Sequence, residues 1–152
     1  MKILVPLDGS RTAEAAIPIA QRLACEPQPC LVLLAVANVR IGQEPAPAEP
    51  EIAPIQDARS YLESAKGHLT RDAEGVVTTV WSGPAAAAIL KAAATYGVDM
   101  IVMTTHGRSG RERDMFGSVA DAVLREAPMP VLVLRPRRGT VGQSSAAAHA
   151  AG

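Results

Sequence analysis

The sequence predicts an α/β domain, a doubly wound five-stranded parallel sheet with helices on both faces. Three observations predict it. Short apolar runs alternate with stretches of helical periodicity along most of the 152 residues. Most of these runs are continuously apolar, which is how a strand reads when helices bury both of its faces. The chain is also long enough, at 48% hydrophobic residues, to fill one core without staples.

The elements follow in order. Residues 2–7 form a short β-rich run that ends at Asp8-Gly9-Ser10. Residues 12–24 read as one helix with Ala16, Ile19, Ala20 and Leu23 on a face, and Pro18 inside it predicts a kink. The second strand is 30–36. Residues 40–54 carry Pro45, Pro47, Pro50 and Pro54 and read as an irregular loop. A helix over 55–72 places Ile55, Ala58, Leu62, Ala65 and Leu69 at helical spacing. The third strand is 76–81; Pro84 then opens a helix over 85–96 that Gly97 ends. The fourth strand is 100–103, the last helix 117–126, and the fifth strand 131–134, stopped by Pro136. Residues 1–136 are expected to form the domain, and 137–152, rich in Gly, Ser and Ala, a disordered tail.

Composition narrows the function. The formal net charge is zero, so no global field draws the chain to nucleic acid or acidic lipid, and 3% aromatic residues leave few platforms for stacking bases. No apolar run reaches the length of a membrane span, and the first residues lack the pattern of a signal peptide, so a cytoplasmic protein is expected. Cys25 and Cys30 form neither a C-x-x-C pair nor a disulfide framework and read as free thiols.

The most informative stretch runs from Asp99 to Gly110 and on to Gly117-Ser118-Val119. A buried strand breaks into a glycine-bearing loop and re-enters a helix. Backbone N–H groups in such a loop and the dipole of the following helix together favour an anion. In a doubly wound sheet a ligand sits at the carboxyl ends of the strands, beside the switch point. Asp8, residues 36–38 and residues 103–110 fall there.

Three segments in this order resemble the universal stress protein family: Ile3-Leu4-Val5-Pro6-Leu7-Asp8-Gly9-Ser10; Thr105-His106-Gly107-Arg108-Ser109-Gly110 with Phe116-Gly117-Ser118-Val119-Ala120; and Ala127-Pro128-Met129-Pro130-Val131-Leu132-Val133-Leu134. The resemblance covers residues 1–136. It implies a Rossmann-like fold of the adenine nucleotide alpha-hydrolase type. ATP-binding members carry Gly-x-x-Gly, nine residues, then Gly-Ser or Gly-Thr. Gly107, nine intervening residues and Gly117-Ser118 match, whereas Thr104 stands where the first glycine belongs. A Cβ there crowds a phosphate, although the hydroxyl offers it a hydrogen bond. Asp114 also departs from the pattern, with an acid where an apolar residue is usual.

The resemblance implies ATP, with Mg²⁺ or Mn²⁺ between the phosphates, as the ligand. Pro6, Leu7 and Asp8 would end the first strand at the site, Asp8 touching the ribose or the metal. Val36 would meet adenine, and Met103 with Thr104 would line the ribose–phosphate path. Gly107, Arg108, Gly117, Ser118 and Val119 would cradle the phosphates. Each has a plainer role too. Asp8 suits a turn, Ser118 a helix N-cap, and Met103 core filling. His106, His68 and His149 have no partners at metal-ligand spacing, and Arg111 and Arg113 suit a solvated loop.

No P-loop, nucleophile elbow or metal cluster marks an enzyme, so at most a slow ATPase is expected. The fifth strand, Val131-Leu132-Val133-Leu134, is apolar at every position. At a sheet edge it needs a cover, and pairing with a second copy would give a two-fold homodimer, as the family commonly forms. Three functions are open: a nucleotide-dependent stress-response switch, a dimeric interaction module that binds no nucleotide, and a phosphotransferase-like enzyme.

Overall fold

The computed structural model describes residues 1–24, 30–37, 53–67, 69, 75–105 and 117–135. Five strands form one parallel sheet: β1 (Lys2–Leu7), β2 (Cys30–Ala37), β3 (Val76–Ser82), β4 (Met100–Thr104) and β5 (Val131–Leu134). Their order is β3-β2-β1-β4-β5. The chain winds outward from β1 in one direction, then crosses back to begin again at β4. The switch point therefore lies between β1 and β4, where the connections leave the sheet toward opposite faces.

Alternation of side chains explains why the inner strands are apolar throughout. Ile3, Val5 and Leu7 of β1, Leu31, Leu33 and Ala35 of β2, and Val102 of β4 meet one layer, formed by α1 (Arg11–Glu14), α2 (Ile17–Leu23) and α3 (Ala53–Gly67). Leu4, Val32, Leu34, Ile101 and Met103 meet the other, formed by α4 (Ala85–Tyr96) and α5 (Ser118–Glu126). Each large side chain taken fully out of water contributes roughly 1.5–3 kcal/mol. A strand with both faces covered has no polar position to spare.

The expected helix over 12–24 is two helices. Pro18 has no N–H to donate to Glu14 and its ring crowds that turn. The chain solves this by stopping: Ala15 and Ala16 donate to Thr12 and Ala13 carbonyls, three residues back, and α2 starts afresh with Pro18 in its first turn. The restart turns Ile17 into the core, where Ile19 was expected, while Ala16 and Ala20 are buried as the periodicity predicts. Helix α3 starts at Ala53, so Ala53 and Pro54 leave the predicted loop, and the described helix ends at Gly67. Its face of Leu62 and Ala65 is buried.

Helix α4 ends as its sequence predicts. Gly97 takes a left-handed conformation at φ 57°, and the N–H groups of Gly97 and Val98 close back on Ala94 and Ala93. Strands β2, β3 and β4 each run one residue past their predicted ends. The edge strands differ from the inner ones: β3 and β5 are half-buried or exposed along their length. No helix among the described residues is long and apolar enough to cross a membrane.

Candidate functional site

A cavity of about 420 Å³ opens at the carboxyl ends of β1, β2 and β4, over the switch point. The size suits a small organic ligand. Pro6, Leu7 and Asp8 line it from β1, Val36 from β2, and Met103 and Thr104 from β4. Gly117, Ser118 and Val119 line it from the start of α5. Nine of the residues singled out in the sequence are thus brought to one cavity, while Gly107 and Arg108 lie outside the described residues. So do Asn38, Cys25, His68, His106, Arg111, Arg113, Asp114 and His149.

Asp8 is placed by a turn built from side chains. Its Oδ1 accepts from the Ser10 N–H at 3.0 Å and from the Ser10 hydroxyl at 2.6 Å. The same hydroxyl oxygen accepts from the Ala13 N–H at 3.1 Å and so caps α1. Gly9 lets the chain fold back with a φ of 84°. Turn chemistry and a place on the cavity wall coexist at Asp8.

Another wall is built from backbone. The Gly117 N–H donates to the Thr105 carbonyl at 2.8 Å, and Thr105 in turn donates its own N–H to Leu134 at 2.9 Å. A Cβ on Gly117 would stand 2.7 Å from the Thr105 oxygen. Glycine is demanded here by the neighbouring strand end, a different reason from the close approach of phosphate that the sequence suggests. Gly117 is also the N-cap of α5, with no side-chain capping bond, so Ser118 occupies the first helical position and the N-cap role expected for it is corrected. The first intrahelical bond runs from Asp121 to the Gly117 carbonyl at 2.9 Å. The amides of Ser118, Val119 and Ala120 precede it and face the ligand side of the helix dipole. Asp121, the acid of that first turn, is paired with Arg125 at 3.0 Å.

The remaining walls are small or apolar. Ala13, Ala85 and Ala120 sit in the first turns of α1, α4 and α5, and Ile89 and Met103 close the floor. Met103 is 6% exposed and belongs to the core cluster as well as the cavity. Thr104 and Thr105 are buried. Thr105 lies within the 103–110 stretch expected at this edge, whereas Ala13, Ala85, Ile89 and Ala120 were not expected as site residues. A usable signal was present: a small residue in the first turn of each helix that begins at the ligand edge of the sheet.

Near the Asp8 turn lies Tyr61 of α3, packed on the core with its hydroxyl wholly buried and, among the described residues, no partner that meets hydrogen-bond geometry, Glu14 and Gly9 standing nearby. Burial, then the nearby Glu14 carboxylate, then Asp8, push its phenol above the ordinary tyrosine range. It stays protonated at any physiological pH. Among the described residues no three His, Cys, Asp or Glu side chains gather as a metal cage.

Known proteins share this fold. The model of the universal stress protein family matches residues 1–135. Universal stress protein MJ0577 of Methanocaldococcus jannaschii is 28% identical over 152 aligned residues, covering 88% of this chain and 94% of its own. The solved structure of MJ0577 superposes with a TM-score of 0.75 at 27% identity, covering 91% of this chain and 97% of that one. UspA from Lactobacillus plantarum gives 0.75 at 25% identity, covering 89% and 97%. Two more distant structures share the fold at 22% and 20% identity, each with a TM-score of 0.61 and each covering 96% of its own chain and at least 88% of this one. One is a universal stress protein in complex with cAMP, the other that of Archaeoglobus fulgidus in complex with dAMP.

Proposed function

The chain belongs to the universal stress protein family, and from that premise we propose that it binds an adenine nucleotide in the switch-point cavity and acts as a nucleotide-dependent regulatory protein of the cytoplasm. The observation that carries this reading is the pairing of two unlike walls. Asp8 and the residues that open α5 line one cavity of about 420 Å³, whose lining is both polar and apolar. An adenine ring is flat and apolar enough for Val36, Ala85 and Ile89. A ribose hydroxyl suits Asp8, and a phosphate suits the helix amides and dipole. Family members with bound cAMP and dAMP support adenine as the base.

ATP is the nucleotide we propose. With no cage of three ligating side chains among the described residues, Mg²⁺ or Mn²⁺ would arrive on the phosphates, with Asp8 as the carboxylate beside it. The response we propose is a shift in conformational populations on binding, with hydrolysis slow at most. The outer edge of β5 is proposed to pair with a second copy, giving a homodimer.

The test is isothermal titration with ATP and Mg²⁺ on the wild type and on Ser118→Glu. Glutamate at the first helical position favours the helix dipole, so folding is kept while a phosphate is repelled. Micromolar binding that weakens by about tenfold or more in the variant supports the reading. No heat from the wild type, together with no nucleotide released on denaturation, would sink it. A second reading, a dimeric interaction module that binds no nucleotide, is favoured by one observation. Thr104, where ATP-binding relatives carry glycine, is buried at the cavity wall and fills part of it.

A further inference from the structure

We propose that Ser10 is a positioning residue for ligand binding: its hydroxyl holds the Asp8 carboxylate in the orientation the cavity needs. Ser10 does not itself line the cavity. It acts on a residue that does. A serine hydroxyl has one proton and two lone pairs. Here the proton is directed at Asp8 Oδ1, 2.6 Å away, and a lone pair receives the Ala13 N–H at 3.1 Å. The hydroxyl is therefore oriented by a fixed helix amide before it meets the carboxylate. Together with the Ser10 N–H at 3.0 Å, two donors converge on the same oxygen. One donor alone leaves a carboxylate free to pivot. Both Ser10 donors restrain the same oxygen, and hydrogen bonds to a charged acceptor are the stronger kind.

The need for such a device follows from exposure. Asp8 is exposed at the lip of the cavity, at the end of a strand, beside a glycine at φ 84°. A side chain so placed loses rotamer freedom when it engages a ligand, and that loss weakens binding unless it is met beforehand. The relay from the α1 amide through Ser10 to Asp8 meets it during folding. The proposal rests on the reading that Asp8 touches the nucleotide.

The measurement is isothermal titration of the full chain with ATP and Mg²⁺, for wild type, Ser10→Gly, Ser10→Thr, Asp8→Ala and the Asp8→Ala/Ser10→Gly double variant, each with a thermal melt. Glycine replaces serine because it caps a helix nearly as well and tolerates the extended backbone there, so the melt should stay near that of the wild type. We expect Ser10→Gly to weaken binding about fivefold and Ser10→Thr to restore it. In the Asp8→Ala background, Ser10→Gly should have no further effect, because the group it positions is gone. A purely structural role would give the same loss in both backgrounds and overturns the proposal. So does a Ser10→Gly protein that binds like the wild type while Asp8→Ala is weakened. If Asp8→Ala binds as well as the wild type, the role of Asp8 fails and this proposal with it. A wild type that binds no nucleotide overturns the function itself.

Discussion

Two turns contribute to the wall of one cavity, and they are built on opposite principles. The Asp8–Gly9–Ser10 turn is held by side chains, through three hydrogen bonds that pass from Asp8 to Ser10 to Ala13. The junction of Thr105 with Gly117 is made by a backbone N–H···O=C bond and the absence of a Cβ. The first can be weakened by degrees, because each side chain can be exchanged for one that keeps part of the network. The second has no graded form. Any side chain at Gly117 meets the Thr105 carbonyl, which accepts the Gly117 N–H, while the N–H of Thr105 is bonded to Leu134.

Gly117→Ala should therefore have the largest effect. Its Cβ would lie 2.7 Å from the Thr105 oxygen, and overpacking of this kind costs about 1–3 kcal/mol. Urea unfolding of the variant checks it, and binding should fall too, because the α5 amides move with the junction. An unchanged midpoint would show that the junction relaxes, and the contrast between the turns would collapse. It also follows that an aspartate at Gly117 cannot separate phosphate repulsion from a broken junction. Ser118, exposed and one residue on, is the better probe.

Ser10→Ala should cost less, about 1 kcal/mol, the usual loss for a helix N-cap. Ser10→Thr should recover most of it in the same urea series. If threonine and alanine behaved alike, the turn would owe its shape to Gly9 and the backbone, and the two sides of the cavity would be built alike after all.

These turns also mark where the sequence was legible. The inner strands were readable because burial on both faces leaves an unbroken apolar run, so β1 was placed with both its ends, and the edge strand β5 was readable from four consecutive apolar residues before Pro136. Helix α4 was equally plain, since Gly97 takes the left-handed cap that glycine there announces. The first helix was misread because Pro18 has two meanings. Inside a helix it kinks; in a first turn it starts one, and only the Ala15–Ala16 break decides between them. Nine candidate residues could be brought to one cavity because the sheet edge collects strand ends. The reason for Gly117 could not be read, since it depends on where Thr105 lies in space. Ser10 was legible as turn chemistry but not as a relay, because distances of 2.6 and 3.1 Å have no trace in spacing.

Thr104→Gly gives a smaller effect on stability and sharpens the contrast from the ligand side. Glycine inside a strand is destabilising by about 0.5–1 kcal/mol, and it removes a buried side chain from the cavity wall. If the cavity holds ATP and Thr104 only narrows it, the variant should bind ATP about threefold more tightly, a gain of roughly 0.65 kcal/mol. Titration of both proteins with ATP and with AMP reads this. Equal affinity for ATP in the two proteins would mean that the threonine is no obstacle.

Tyr61→Phe should have the smallest effect at neutral pH, and its interest lies in the sign of the pH dependence. Among the described residues the wild-type hydroxyl is buried with no partner in hydrogen-bond geometry, so removing it should leave stability unchanged or slightly raised. Burial and the Glu14 carboxylate raise the phenol, so the folded protein keeps its proton where an unfolded tyrosine has begun to lose it, near pH 10. Above that point the unfolded state binds fewer protons than the native state, and stability must fall as pH rises. Below it both states are protonated, and the residue contributes no slope. The difference in urea midpoint between Tyr61→Phe and wild type should accordingly be flat from pH 7 to about 9.5 and widen in favour of phenylalanine above about 10. A difference that stays constant through pH 11 would place the phenol in contact with water. The side-chain-built turn would then rest on a looser floor than the backbone-built junction.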